Sequence, residues 1–490
     1  MCLTDGTVTD RRAFVLFELN EVPLRVVRHY ADRHPGSAFA KILSRGRRWD
    51  TLTPDQGHLS PWITWPTLHR GVSSSDHHIV ALGQDVAQTD ARFPPIWTLL
   101  AKAGRRVGLF GSLHSYPPPQ DLGAYDFYVP DTFAAGPEAK PAELSAFQSF
   151  NLHMVDRSGV NASSELPIRK ALQFLLRTIP AGIRPATLTK IAKQVTSERI
   201  WRERAGRRRT IQSLLAFDLF LSQLQSRKPS AAFFFTNHVA SSMHRYWPAT
   251  FGGDYEITEW KKDWVRRFSG EVDYVMREAD RMLADLINYA DRNPDTIVLV
   301  TGSMGQAAVD EEDRHVRTQV LLRDMRKFLD QLGIKSGFER RRTMEPTYTL
   351  TFEDEQSADA FMQAIGTVKI GGTGVEARRL DARGVEFMVG HANLSAEQLM
   401  VTIGNRSVGL PDVGLANITI DDEVGSAAYH VPEGMLLAYD PRADLKGDAA
   451  PEPVSTTRIA PTLLALQGVD RPGYMEEPLP ELIEPVLEPA

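Results

Sequence analysis

The sequence predicts an α/β protein whose central sheet is mainly parallel. Compact apolar runs occur at Ala13–Leu19, Val107–Phe110, 231–235 and 297–300, and each is followed by polar or turn-forming residues. Because these runs are continuously apolar rather than alternating, both faces of their sheet are expected to be buried. Segments with helical spacing separate the runs, such as 272–286, whose apolar residues fall on one helix face. This βαβ rhythm indicates helices on both faces of a parallel sheet.

The stretch 296–306, TIVLVTGSMGQ, combines a buried strand with the tight loop that follows it. In open α/β sheets, ligands collect at the carboxyl ends of such strands. Ser303, Met304 and Gln306 are therefore expected to face a site.

The chain divides into a core and two insertions. The core is expected to occupy 1–340 and to be completed by 425–490. A basic, mostly helical insertion is predicted near 140–215. A small α+β insertion is predicted at 341–424, where TYTLTF at Thr347–Phe352 alternates as an amphipathic strand does.

The arginine-rich part of the helical insertion, 184–209, has two interpretations. Such a run is usually a solvated helix face. The alternative is a basic patch that recruits an anionic substrate or a lipid surface. Composition alone leaves both open.

Overall composition excludes several classes of protein. The formal charge of −6 over 490 residues argues against a dedicated nucleic-acid binder. Cys2 is the only cysteine, so neither an internal disulfide nor a thiolate metal cluster can form. No apolar run approaches the roughly 20 residues of a membrane helix, and no secretory signal precedes the first strand. The expected location is the cytoplasm, and the oligomeric state is left open.

Several stretches share their order and spacing with one known family: 15–21, TWPTLHRG at 64–71 with HHI at 77–79, 235–244, 299–305, 430–439, and IAPTLLALQGV at 459–469. They resemble the alkaline phosphatase superfamily, and most closely its type I phosphodiesterase and nucleotide pyrophosphatase branch. The resemblance implies the three-layer α/β fold of that family. It places 59–79, which carries little periodicity, in the family's nucleophile loop.

The resemblance also implies a two-metal site, and most of its ligand positions are substituted here. Thr64 matches the nucleophile and His430 the last metal ligand. Neutral side chains occupy the other five positions: Asn20, Asn237, Ser241, Ser303 and Met304. Because dications need charge-neutralising donors, a two-zinc centre is not expected. One ion remains a possibility, held by nearby residues drawn from Glu18 or Glu21 with His238, His244 or His430.

These residues lead to a hydrolase acting on a phosphate or sulfate ester, with no metal or one weakly held. Thr64 would be the nucleophile or a substrate contact, although a threonine in a turn more often bonds the backbone. The acid–base groups would come from His430, His238 and His244, although a lone histidine is usually structural. The anion donors would be Asn20, Asn237, Ser303, Gln306 and Arg245.

Two alternatives come from other classes. One is an inactive family member that binds a phosphorylated or sulfated glycan, a lipid or a protein. The other is a group transferase in polysaccharide or natural-product biosynthesis. For Arg245, the alternative to anion binding is an ion pair. In each case the partner is an anionic molecule and not a nucleic acid.

Overall fold

The computed structural model describes residues 11–82, 84–157, 174, 177–255, 262–309, 316–343, 345–420, 422–445, 447–448 and 452–483. Within them lie 21 strands: β1 Ala13–Leu19, β2 Arg47–Leu52, β3 Val107–Phe110, β4 Tyr125–Val129, β5 Ala231–Thr236, β6 Thr296–Thr301, β7 Gly305–Ala308, β8 Thr318–Leu322, β9 Phe338–Arg341, β10 Thr347–Phe352, β11 Val368–Ile370, β12 Thr373–Gly374, β13 Glu376–Arg379, β14 Gly384–Met388, β15 Met400–Ile403, β16 Arg406–Gly409, β17 Leu415–Thr419, β18 Ala428–Val431, β19 Glu433–Tyr439, β20 Gly447–Asp448 and β21 Val454–Ser455.

The α-helices of the same residues alternate with these strands. They are α1 Leu24–Arg33, α2 Ala38–Arg45, α3 Pro61–Arg70, α4 Ser74–His77, α5 Ala87–Arg92, α6 Ile96–Lys102, α7 Ser145–Arg157, α8 Pro185–Ile200, α9 Arg208–Arg227, α10 His238–Thr250, α11 Lys262–Phe268, α12 Glu271–Arg292, α13 Met325–Gln331, α14 Glu355–Ile365, α15 Ile459–Leu466 and α16 Pro480–Ile483. In the described part of the chain, no helix combines the length and the apolarity needed to cross a membrane.

The central sheet has nine strands among the described residues, in the order β20-β2-β19-β6-β1-β5-β3-β4, with β21 beside β2. Strands β6, β1, β5, β3 and β4 run parallel to one another. Strand β19 is antiparallel to both of its neighbours, β6 and β2. The predicted mainly parallel sheet is confirmed, and β5, β1 and β6 lie side by side at its centre.

Strand β1 shows why the fold has three layers. Its residues alternate between the two faces, and every one from Phe14 onwards is buried. Val15, Phe17 and Leu19 belong to one apolar cluster, and Phe14 and Leu16 to a second. The first cluster includes α1, α9, α10 and α12, and the second includes α3, α6 and α15. Helices therefore cover both faces of the sheet.

A second, smaller unit follows the first part of the core. Two four-stranded antiparallel sheets form there, β13-β14-β10-β9 and β12-β11-β15-β16. They share an apolar cluster of their own with α13 and α14. These sheets begin at Phe338 and end at Gly409, inside or at the edge of the stretch predicted as an α+β insertion.

The predicted helical insertion contains α7, α8 and the start of α9 in its described part, while 158–173 lies outside the described residues. Several of its arginines are held in ion pairs within the chain. Arg207 binds Glu271 through two nitrogens, and Arg208 lies 2.7 Å from a carboxylate oxygen of Glu198. In these ion pairs the positive charges of the arginines are balanced by carboxylates of the same chain.

Helix α3 occupies a stretch that the sequence placed in a loop. It contains Pro66 in its interior and begins with Pro61. Proline is favoured as the first residue of a helix because the N–H that it lacks would have no partner within the helix at that position. Nearly every side chain from Pro61 to Arg70 is buried. A helix buried on all sides carries no 3.6-residue periodicity, so the expectation of a loop was wrong there.

Candidate functional site

Polar side chains gather where the three central strands end. Asn20 follows β1, Asn237 follows β5, and Ser303 lies two residues beyond β6. The Asn20 Nδ2 donates to Asn237 Oδ1 at 2.7 Å, and the indole Nε1 of Trp65 donates to Asn20 Oδ1 at 2.7 Å. Adjacent parallel strands bring their carboxyl ends to one edge of the sheet, which is why these residues meet.

Helix α3 brings hydroxyl groups to the same edge. Thr64 Oγ1 lies 3.2 Å from the carbonyl oxygen of Ser60 and 2.8 Å from Ser303 Oγ. It donates to the carbonyl and can accept from the hydroxyl of Ser303. Ser60 occupies the N-cap of the helix. Its side chain is 1% exposed, and its Oγ has no hydrogen-bond partner in the described structure. A buried free hydroxyl thus sits at the positive end of the helix dipole.

Glu21, His244 and His430 form the charged centre of the site. The Oε2 of Glu21 lies 2.9 Å from His244 Nε2 and 3.3 Å from His430 Nε2. One potential ligand atom from each residue falls within 4.8 Å of the others. The Asn20 Nδ2 donates to Glu21 Oε1 at 2.7 Å, and Gln306 Nε2 donates to Oε2. The charged centre is therefore continuous with the amides at the strand ends.

Backbone carbonyls fix the orientation of both imidazoles. His244 Nδ1 lies 2.7 Å from the carbonyl of Ala428, and His430 Nδ1 lies 2.7 Å from that of Leu59. A carbonyl only accepts, so each Nδ1 carries a proton and each Nε2 faces Glu21. His430 and Gln306 are also paired across β18 and β7.

At this centre, burial and the charges of neighbouring side chains shift the pKa values in opposite directions. Burial alone would raise the pKa of Glu21, but His430 and His244 hold that pKa well below its usual range. Burial alone would lower the pKa of His430, but the Glu21 carboxylate raises it. Both effects favour the charged forms of Glu21 and His430.

Two features of the backbone place the Glu21 carboxylate. Glu21 adopts φ 58°, a left-handed conformation that residues with a side chain rarely take and that costs about 1–3 kcal/mol. Gly305, the first residue of β7, lies so close to β19 that an added Cβ would be 2.3 Å from the carbonyl oxygen of Glu433. The turn after β1 and the glycine at β7 together let Gln306 and Glu21 meet.

Three predicted site residues are held elsewhere. His238 is buried between Thr236 Oγ1, 2.8 Å from its Nδ1, and the carbonyl of Val275, 3.2 Å from its Nε2. These contacts occupy both ring nitrogens and join the start of α10 to β5 and to α12. Among the described residues, His238 is not one of those whose ligand atoms meet at the charged centre, and its acid–base and ligand roles remain predictions.

Glu18 is likewise removed from the charged centre. Its Oε1 lies 2.7 Å from His69 Nε2 and its Oε2 accepts from Ser112 Oγ at 2.7 Å, and all three side chains are fully buried. Because β1 side chains alternate, Glu18 lies on the face of the sheet that packs against α3. Of the two carboxylates considered for a single ion, Glu21 is the one that lies with His244 and His430.

Arg245 forms the ion pair that was its alternative. Its Nε donates to Asp422 Oδ2 at 2.5 Å, and Tyr246 donates to the same oxygen at 2.9 Å. The side chains of Arg245 and Asp422 are 15% and 10% exposed. The ion pair that the sequence left open for Arg245 is thus present, and its role as an anion donor remains a prediction.

A pair of cations does not fit the residues at the strand ends. Asn20, Asn237 and Ser303 supply amide and hydroxyl groups, and Asn20 turns its NH2 group toward its neighbours. An NH2 group repels a cation, and neutral oxygens do not offset the charge of two dications. In the described chain, one group of three potential metal ligands occurs, at the charged centre.

No family model matches the sequence, and neither does any curated protein. Solved structures do show similarity along nearly the whole chain. Human ectonucleotide pyrophosphatase/phosphodiesterase 5 is 12% identical, and the match covers 95% of this chain and 97% of the human chain with a TM-score of 0.39. An inactive form of the murine protein, in complex with AMP, is 13% identical, covers 94% and 95%, and gives 0.38.

An alkaline phosphatase named PafA is also similar. It is 13% identical, covers 98% of this chain and 100% of its own, and gives a TM-score of 0.46.

Sequence reasoning missed the free hydroxyl of Ser60 and the position of Arg209. Arg209 begins α9 beside Arg208 and donates from Nη1 to Ser241 Oγ at 2.9 Å. Ser60 precedes a proline, and a serine before proline at the start of a helix is a recognisable N-cap signal. For Arg209 the sequence offered only its place in a basic run.

Proposed function

We propose that this protein is a hydrolase of phosphate or sulfate esters that uses a hydroxyl at the start of α3 as its nucleophile. The observation that carries the proposal is the position of Ser60. Its buried hydroxyl is free, and the carbonyl of the preceding residue, Leu59, accepts the hydrogen bond of His430. The free hydroxyl and the charged centre are therefore neighbours along one stretch of backbone.

Ser60 suits the role better than Thr64, the residue that the sequence favoured. The Thr64 hydroxyl lies one turn inside the helix and is engaged by the Ser60 carbonyl and by Ser303. Ser60 instead stands at the helix N-terminus, where the dipole stabilises an anion. In this proposal Thr64 and Ser303 are positioning residues that support the first turn of α3.

The substrate anion would be held by uncharged donors and one cation. The carboxamide of Asn237 does not repel an anion, as an aspartate at the same place would. Asn20 gives its two amide hydrogens to Glu21 and Asn237, so its part is to orient Asn237. Arg209 adds a positive charge 2.9 Å from Ser241, one helical turn from Asn237. Preorganised donors of this kind stabilise the negative charge that develops during ester cleavage.

In the reaction, Ser60 Oγ would form a bond to phosphorus or sulfur while the bond to the leaving oxygen breaks. The hydroxyl proton leaves Ser60 and ends on the leaving group. An unassisted hydroxyl is a weak nucleophile, so activation must come from the charged centre of Glu21, His244 and His430. Water then releases the covalent intermediate.

A substrate screen with matched variants tests this proposal. Purified protein is assayed with p-nitrophenyl phosphate, bis(p-nitrophenyl) phosphate and p-nitrophenyl sulfate. Ser60→Ala should lower kcat by at least about 100-fold on the preferred ester, and Thr64→Ala by about 10-fold or less. Ser149→Ala, at an exposed position of α7, serves as the control and should change nothing.

The possible results separate the candidates. Activity that survives Ser60→Ala but is lost in Thr64→Ala would return the nucleophile to Thr64. Absence of turnover with all three substrates would refute the hydrolase and favour a binding protein for an anionic ligand.

A further inference from the structure

The Glu21 carboxylate needs positive charge beside it, and there are two ways to supply that charge. Both His244 and His430 commit their Nδ1 protons to backbone carbonyls. Each Nε2 therefore faces the same carboxylate oxygen, from 2.9 and 3.3 Å. In the metal-free protein a proton on Nε2 completes an ion pair, and a cation bound between the three atoms would take the place of that proton.

We propose that Glu21, His244 and His430 hold one divalent transition-metal ion of the zinc type. Two imidazole nitrogens and one carboxylate oxygen are a known ligand set for catalytic zinc, with a further position left open. Zn–N and Zn–O bonds of roughly 2.0–2.1 Å place tetrahedral ligand atoms about 3.3 Å apart. The observed separations of 2.9 and 3.3 Å are close to that value before any ion is added.

The surroundings of the three ligands support the same assignment. Metal-binding histidines usually donate their second ring N–H to a carbonyl or a carboxylate, which fixes the ring and its tautomer. Ala428 and Leu59 supply such carbonyls here at 2.7 Å each. The ligating carboxylate would be oriented by Asn20, which donates to its Oε1 at 2.7 Å. The orientation of all three ligands is therefore fixed by hydrogen bonds before an ion is added.

Two polar atoms that are close to the three ligands in the chain or in contact with them lack hydrogen-bond partners. The Oε1 of Gln306 is buried without a partner in the described structure, while its Nε2 contacts Glu21. The Ser60 Oγ, next to the residue that holds His430, is also unpaired. Buried polar atoms normally find partners, and a water molecule or a substrate oxygen bound to the ion would supply them.

This ligand set is not the one that the family resemblance implies. The resemblance assigns ligands to the positions of Asn20 and Ser241, which here are neutral. Glu21 lies one residue after the first position, and His244 lies three residues, about one helical turn, after the second. Only His430 keeps its assigned place, so the ion would sit at a shifted, single site.

The role of this ion in turnover rests on the proposed function, but its binding does not. A bound dication would activate the Ser60 hydroxyl and stabilise the substrate anion. Two imidazole ligands favour zinc-type ions over Mg²⁺ and Ca²⁺, which prefer oxygen. Binding can therefore be measured without a substrate, and the choice of ion is itself a test.

The first experiment titrates the full chain, without a polyhistidine tag and stripped with EDTA, with ZnCl2 against a chromophoric chelator. We expect one equivalent to bind with sub-micromolar affinity. Glu21→Gln, His244→Gln and His430→Gln should each weaken binding at least about 100-fold. His29→Gln on α1, whose ring contacts Arg33 and Phe251, is the matched control and should bind as the wild type does.

Thermal melting without metal checks that each variant is folded. A separate experiment adds CoCl2 to the wild type and measures the visible absorption of the bound ion. Tetrahedral coordination by nitrogen and oxygen gives strong visible absorption of Co²⁺, whereas a six-coordinate surface site does not. ZnCl2 should raise the melting midpoint of the wild type, and MgCl2 and CaCl2 should not.

Three results would overturn the inference: no zinc bound by the wild type, two equivalents bound, or unchanged affinity in a folded Glu21→Gln. Zinc bound at one equivalent without turnover of any ester would support the ion site and refute the hydrolase. Full turnover by zinc-free protein would support the hydrolase and remove the ion from its mechanism.

Discussion

Replacing Asn20 by aspartate should destabilise the protein through a repulsion whose size the structure gives. The Asn20 Nδ2 lies 2.7 Å from Glu21 Oε1, and both residues are almost fully buried. A carboxylate oxygen in place of this nitrogen would face the Glu21 carboxylate directly. With an effective dielectric constant of about 20, the repulsion is 332/(20 × 2.7), or about 6 kcal/mol. The two neighbouring imidazoles offset part of it, so we expect a loss of about 3 kcal/mol.

A double-mutant cycle measures this repulsion in metal-free protein. Denaturation midpoints are compared for the wild type, Asn20→Asp, Glu21→Gln and the double variant. The double variant should recover most of the loss of Asn20→Asp, because only one carboxylate remains. Asn405→Asp, in the exposed turn between β15 and β16, controls for the substitution itself. If the two substitutions prove additive, or if Asn20→Asp is as stable as the wild type, the proposed contact between residues 20 and 21 is refuted.

Two further predictions concern groups outside the charged centre. Arg245→Met should lower the free energy of unfolding by about 3–5 kcal/mol, because it leaves the carboxylate of Asp422 buried without its cation. The KM for esters should stay unchanged. A raised KM in a variant of wild-type stability would contradict this assignment of Arg245 to an ion pair. Burial lowers the pKa of His77 to about 3 and that of His238 to about 4, whereas the unfolded chain titrates near 6.5. The unfolded state therefore binds more protons below pH 6.5, so stability is complete above that pH and falls as the pH drops toward 4, by about 1–3 kcal/mol per histidine. Urea midpoints at pH 7.0, 5.5 and 4.5 check this, and His238→Gln should flatten the slope; a flat wild-type profile would contradict it.

The positions of the strand-end residues could be predicted from the sequence because they depend on topology. Continuous apolar runs indicated parallel strands, and parallel strands end at one edge of the sheet. Asn20 and Asn237 could thus be placed together, and they are joined by a 2.7 Å hydrogen bond. The prediction needed the order of elements and no side-chain geometry.

The choice among nearby acidic and imidazole side chains could not be predicted in the same way. Glu18 and Glu21 lie three residues apart, and alternation along β1 sends Glu18 toward α3. The chain leaves the strand after Leu19, and Glu21 then takes a left-handed conformation that alternation does not describe. His238 and His244 lie six residues apart on α10 and contact α12 and β18 respectively, and the sequence did not show which of them meets β18.

The three members of the charged centre depend on one another. The Glu21 carboxylate lies 2.9 Å from His244 and 3.3 Å from His430 and is the negative partner of both imidazoles. Without that carboxylate His430 would remain largely buried with no negative partner, and without the imidazoles Glu21 would be buried with no cationic partner. A buried titratable group without a partner costs about 1–3 kcal/mol or more. Neither Glu21→Gln nor His244→Gln should therefore leave the remaining pair as stable as the triad.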